Sequence, residues 1–196
     1  MNLCLSETSA TPGVEIPQTQ EIQAAIDRVH AAGGGRVTVP AGCWMTGMLH
    51  LRSRVELHLA RGACLKAAPR PEDSLPLIHV AGKGDHWRSP EGSFHVIAAV
   101  DCEEVALTGP GRVDGNGTAF YDPVEPGTAW PLARHKDWRR MGAMVLFSSC
   151  RRVRVAEVNL GNVCNWTLHL HDCDHVQVRD VVIENPAQAP NSDGID

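Results

Sequence analysis

Aromatic side chains are scarce in this 196-residue chain, which has three Phe and one Tyr beside five Trp. With so few, and with 18 Gly and 13 Pro, a helical bundle is a poor fit and a turn-rich β architecture a good one. No C-x-x-C pair occurs among the seven cysteines, an odd number, so neither a zinc site nor a complete disulfide framework is expected. Basic residues are no more numerous than acidic ones, and the formal charge of −5 removes the electrostatic footprint of a nucleic-acid binder. An anionic substrate stays open, because a cleft can be locally basic on an acidic molecule. No apolar run is long enough to span a bilayer, so no membrane partner is expected. Met1-Asn2-Leu3-Cys4 opens a polar segment without a basic n-region or an apolar h-region, so no secretory signal is read. The chain reads as soluble and cytoplasmic, or as secreted if its true N-terminus lies upstream. At 43% apolar residues it is no disordered polypeptide, and one domain is the default.

What is present is a unit written twice between Val145 and Asp196. When Cys150 is placed over Cys173, 23 residues on, Val145 faces Leu168, Phe147 faces Leu170, Val153 faces Val176, Val155 faces Val178, Val158 faces Val181 and Leu160 faces Ile183. Every aligned position is apolar. The positions fall in two-residue steps broken by short polar turns, so each copy reads as several short strands joined by bends. One such coil cannot bury its apolar face alone, whereas stacked coils share a continuous core. The expected class is all-β, a right-handed parallel β-helix; an antiparallel sandwich with coincidental spacing is the alternative. Ile97, Ala99, Cys102, Val105 and Leu107 repeat the first part of the register, and Leu49, Val55 and Leu57 echo it more weakly. The 48 residues from Cys102 to Cys150 are about two coils on this reading. Cys102, Cys150 and Cys173 are expected as small apolar fillers of the interior.

Residues 1–18 are Ser/Thr/Pro-rich without a period, and a flexible arm is expected there. From Thr19, read as an N-cap, to Ala32, the residues Ile22, Ala25, Ile26 and Val29 form a single helical face, stopped by Gly33-Gly34-Gly35. Such a helix would cap the first coil, whose open strands would otherwise invite aggregation. The coils are expected over residues 36–196. Residues 68–93 and 118–141 lack a period and read as loops leaving the coil, and Gly109 to Gly117 as a coil corner. The second loop holds Trp130 and Trp138 among Arg134, His135, Lys136, Arg139 and Arg140. It could form a cleft wall with indoles for sugar rings and cations for carboxylates, or be an ordinary solvated loop.

Candidate chemistry concentrates at the end of the chain. Asn191-Ser192-Asp193-Gly194-Ile195-Asp196 follows the last coil strand, although an Asp-Gly step is also the composition of a plain turn. His169-Leu170-His171-Asp172-Cys173-Asp174-His175 superficially suggests a metal cluster. In the repeat register, however, His169 and His171 point outward and Cys173 inward, so the ligands do not converge and no metal is expected. His169 on a groove beside Trp166 is a candidate sugar contact, and a surface histidine is the alternative.

Three stretches resemble the polygalacturonase family of glycoside hydrolases, in its N-terminal half. Ile22 to Asp27 through Gly33 to Gly42 is similar to that family's capping helix and first strand, and Gly109 to Gly117 to its glycine-rich corner. Trp166 to Gly194 resembles the coil that leads into its Asn-Thr-Asp-Gly signature, with Ser192 in place of Thr. The resemblance implies inverting hydrolysis of α-linked galacturonan, a pectin-like polysaccharide; no cofactor is expected, and the full-length protein is expected to be a monomer. It assigns Asp193 to holding and activating the water, Asn191 to positioning substrate, and Asp196 to the same groove. The family's aspartate pair, Gly-His-Gly and Arg-x-Lys segments follow the signature and would fall beyond Asp196. The expectation is therefore a β-helix truncated on its C-terminal side, lacking the general acid and inactive alone. Other readings are a uronate lyase or epimerase, and a carbohydrate-binding β-helix without catalysis.

Overall fold

Short alternating strands generate three sheets, because each coil turns twice and contributes one strand to each face. The computed structural model describes residues 1–13, 15–74, 76, 78, 93–122, 124, 134–135 and 141–196. The first sheet takes Asn2–Cys4, Gly35–Val39, Val55–Leu59, Ala106–Thr108, Arg151–Ala156 and Asp174–Arg179, in that order. The second takes Gly42–Thr46, Ala63–Ala67, Arg112–Asp114, Asn159–Gly161 and Val182–Glu184. Leu49–His50, Ile97–Val100, Val145–Ser148 and Leu168–His171 make the third. All strand pairs in these sheets are parallel, and the chain winds as a right-handed parallel β-helix, the hand that twisted parallel crossovers favour.

The 23-residue register is reproduced strand by strand. Val145 pairs with Leu168, Phe147 with Leu170, Val153 with Val176, Val155 with Val178 and Leu160 with Ile183. The cysteine column lies where it was expected, and its thiols also tie layers together. Sγ of Cys102, Cys150 and Cys173 donates to Leu51 O, Ala99 O and Phe147 O of the preceding layer, each at 3.4 Å.

The 48-residue spacing, in contrast, is one coil and not two. Ile97 pairs directly with both Leu49 and Val145, so the layers they occupy are adjacent. The surplus length lies in the segments between Ala67 and Ile97 and between Asp114 and Val145. Both connect a strand of the second sheet to a strand of the third. Of the second segment's proposed wall, Trp130, Lys136, Trp138, Arg139 and Arg140 lie outside the described residues. Arg134–His135 forms a short antiparallel pair with Tyr121–Asp122. The Gly109–Gly117 run is more than a corner, since it contains the strand Arg112–Asp114 with Val113 fully buried.

The capping helix, Thr19–Ala31, buries Ile22, Ala25, Ile26 and Val29. Its N-cap is Gln18, because the Thr19 hydroxyl is engaged in accepting from Gly47 N at 2.7 Å. The flexible arm expected over residues 1–18 is corrected. Asn2–Cys4 pairs in parallel with Gly35–Val39, Leu3 and Leu5 are buried, and the N-terminal ammonium donates to Gly34 O at 2.7 Å. Gly35, with φ 142°, admits this strand where any Cβ would strike the Met1 carbonyl. Further on, Gly13 N donates to Cys43 O and Gln18 N to Met45 O, so the segment also covers the open edge of the second sheet. The overlooked signal is the two-residue step from Leu3 to Leu5.

Candidate active site

The last described turn closes onto the third sheet. Ile195 bridges Leu168 in parallel, Thr167 N donates to Asp193 O at 2.9 Å, Leu170 N to Asp196 O at 2.9 Å, and Asp196 N to Leu168 O at 3.0 Å. Asp193 to Asp196 therefore lies under Leu168–His171 as a further layer of that sheet. With Leu168 and Ile195 in register, His169 and Asp196 are neighbours on the outer face.

That face changes character along its length. Nearer the cap, Met48, Ala98 and Leu146 are buried as a small apolar cluster, with Ile78 packed on it. One layer further, His169 replaces Leu146 in register and the surface becomes polar and accessible. Trp166 and His169 meet edge to face with centroids 5.1 Å apart, and His169 and His171 lie 5.8 Å apart. His171 Nδ1 is 3.3 Å from Ser148 Oγ. Cys173 packs against the core on the other side of the strand. Among the described residues, no three His, Cys, Asp or Glu side chains converge as a metal site.

Burial and then the negative charge of Asp193 push the Asp196 carboxyl above its usual range. Register brings Asp196 beside His169, whose ring meets Trp166, while Asp193 is exposed in the same turn. Asn191 is not brought to that cluster by any contact of the described residues. It stands exposed at the tip of the turn with φ 49°, a left-handed conformation that Asn tolerates well.

One positioning residue escaped the sequence reading. Asn185 Nδ2 donates to Thr167 Oγ1 at 2.8 Å and to Ser192 O at 3.2 Å, while its Oδ1 accepts from Val163 N at 3.3 Å. It thus ties the peptide before Asp193 to the layer above. Ile183 supports the same turn from inside, with its Cδ1 close beneath Gly194. The signal was available, since Asn162 lies 23 residues earlier at the same corner and donates to Asp114 Oδ1 at 2.6 Å.

Comparison with known proteins agrees with this architecture. The profile of glycosyl hydrolases family 28 matches residues 75–196. Polygalacturonase QRT2 of Arabidopsis thaliana is 26% identical over 164 residues, covering 79% of this chain and 35% of that protein. An endo-polygalacturonase of Pectobacterium parmentieri is 25% identical over 185 residues, covering 91% and 45%. The hyperthermoactive exopolygalacturonase of Thermotoga maritima superposes with a TM-score of 0.78 at 25% identity, over all of this chain and 49% of that one. The chain spans about a third to just under half the length of these curated relatives.

Proposed function

We propose that this chain, which belongs to glycosyl hydrolases family 28, contributes the water-activating side of a site that hydrolyses α-linked galacturonan with inversion. What supports the reading is the backbone pairing of residues 193–196 beneath Leu168–His171, which sets Asp196 next to His169 and its Trp166 neighbour with Asp193 exposed in the same turn. Inversion needs a carboxylate to draw a proton from water on one face of the sugar while an acid protonates the leaving oxygen on the other. The two carboxyl groups are then about 6.5–9.5 Å apart. Asp193 is the acceptor for the water's proton. Asp196 shares the groove, and Asn191 at the turn tip contacts substrate. The Trp166 indole offers an apolar edge to a pyranose ring, and His169 supplies a hydrogen-bond donor. A uronate is itself anionic and is repelled by the two aspartates, so its carboxylate lies toward the histidine side of the face.

Asp193 and Asp196 sit on one side of the groove and cannot serve opposite faces of one sugar. The 196-residue polypeptide is therefore expected to bind polygalacturonate without cleaving it. Affinity electrophoresis in polygalacturonate gels should show retardation that weakens in Trp166→Ala, and a reducing-end assay should stay at background. Release of reducing ends by the purified chain, or an absence of retardation, would overturn this assignment.

A further inference from the structure

The outer face of the second sheet, on strands that take no part in the groove, carries two thiols side by side. Cys43 on Gly42–Thr46 and Cys64 on Ala63–Ala67 are register partners of adjacent parallel strands. Neighbouring strands lie about 4.8 Å apart, within the ~4.4–6.8 Å between Cα atoms that a disulfide spans. Both side chains alternate outward, opposite to the buried Trp44 and Leu65 that follow them. Cys43 is exposed, Cys64 is half-buried, and both are free. The other stacked thiols differ in kind, because Cys102 and Cys150 are buried in the core and Cys173 packs against it, each with its S–H group bonded to backbone carbonyls.

We infer that Cys43 and Cys64 form a redox-responsive dithiol that closes to a disulfide on exchange with a small-molecule disulfide, stapling the first coil to the second. The exposed Cys43 thiolate attacks one sulfur of oxidised glutathione, whose S–S bond breaks as the first glutathione thiolate leaves. Cys64 then loses its proton to solvent and attacks the Cys43 sulfur of the mixed disulfide, expelling the second glutathione. The protein gives up two electrons and two protons, and two reduced glutathiones result. This order follows from the surroundings of the two groups. The Cys64 thiol is pushed up to about 11, by burial first and then by Asp114 and Cys43, so it is the poorer first nucleophile. Once Cys43 is capped, the neighbouring sulfur is already in reach.

The folded chain is incubated with oxidised glutathione, quenched with an alkylating agent and mapped by proteolysis and mass spectrometry. The expected result is the loss of two of the seven thiols and a linked peptide pair containing Cys43 and Cys64. Cys43→Ser should leave Cys64 alkylatable, whereas Cys64→Ser should stop at a glutathione adduct on Cys43. Recovery of both cysteines alkylated, or of separate glutathione adducts on each in the unsubstituted chain, would overturn the inference. So would a linked peptide joining either to a different cysteine.

Discussion

The first and the last described layers of the solenoid present the same alternating apolar pattern to different surroundings. At the first end, Leu3, Leu5 and the apolar face of the capping helix lie over the coil, and Val37, Leu57 and Val39 beneath them are fully buried. At the other, Val176, Val178, Val181 and Ile183 are only partly buried, although Val153, Val155, Val158 and Leu160, one layer earlier in the same register, are almost wholly enclosed. In a stacked architecture an inward-pointing residue is enclosed by the layers above and below it, so identical local sequence yields unequal burial.

Truncating one side chain at each end tests this most strongly. Leu57→Ala, beneath the helix, should cost about 2–5 kcal/mol of unfolding free energy in urea titrations. Ile183→Ala, in the last described layer, should cost less than half of that in this 196-residue chain. Equal losses would break the comparison.

The outer faces sharpen it with a smaller effect. Near the cap, Glu56 accepts from Arg36 at 2.9 Å, from Arg154 at 3.0 Å and from Thr108 Oγ1 at 2.6 Å, spanning the small Ala106 between. Burial alone would raise the Glu56 carboxyl, but Thr108, Arg36 and Arg154 outweigh it and hold it below the usual glutamate range. The corresponding pair at the far end, Arg179 and Glu157, is 3.5 Å apart with both side chains about half exposed. Glu56→Gln should cost no more than about 1 kcal/mol after solvent screening, and Glu157→Gln less than about 0.5. Because the folded Glu56 titrates below its unfolded value, its advantage is complete above about pH 4.5 and disappears as pH falls through the lowered folded value. An advantage for Glu56 over Gln that persists at pH 2 would contradict the ion-pair account.

The smallest effect is electrostatic and local to the site. Asp193→Asn removes one of the two causes that raise Asp196, so the Asp196 midpoint in a carboxyl NMR titration should move down, with burial keeping part of the elevation. An unchanged midpoint would separate the two carboxylates in space.

Much of the scaffold could be read before any coordinates. The 23-residue repeat, the cysteine column and the amphipathic helix are patterns of side-chain type at fixed spacing, and spacing of that kind survives folding unchanged. The failures share a cause. Residues 118–141 break the period, so the distance from Cys102 to Cys150 counted loop residues as if they were coil. Leu3 and Leu5 make too short an alternation to stand out within a Ser/Thr/Pro-rich segment, and only the edge strand they pair with reveals them. Asn185 drew no attention in the sequence because its partners, Thr167 and Ser192, belong to different layers.

By itself the sequence determined which residues point inward, since a two-residue step repeated every 23 residues allows one register for a shared core. Only the tertiary structure decided which outward residues meet at the candidate site. A strict continuation of the repeat would set Asn191 beneath Leu168, yet Ile195 lies there, 27 residues on. The corner held by Asn185 is longer than the one above it, and hydrogen bonds across layers, not spacing along the chain, fix how that extra length is taken up and so bring Asp196 beside His169.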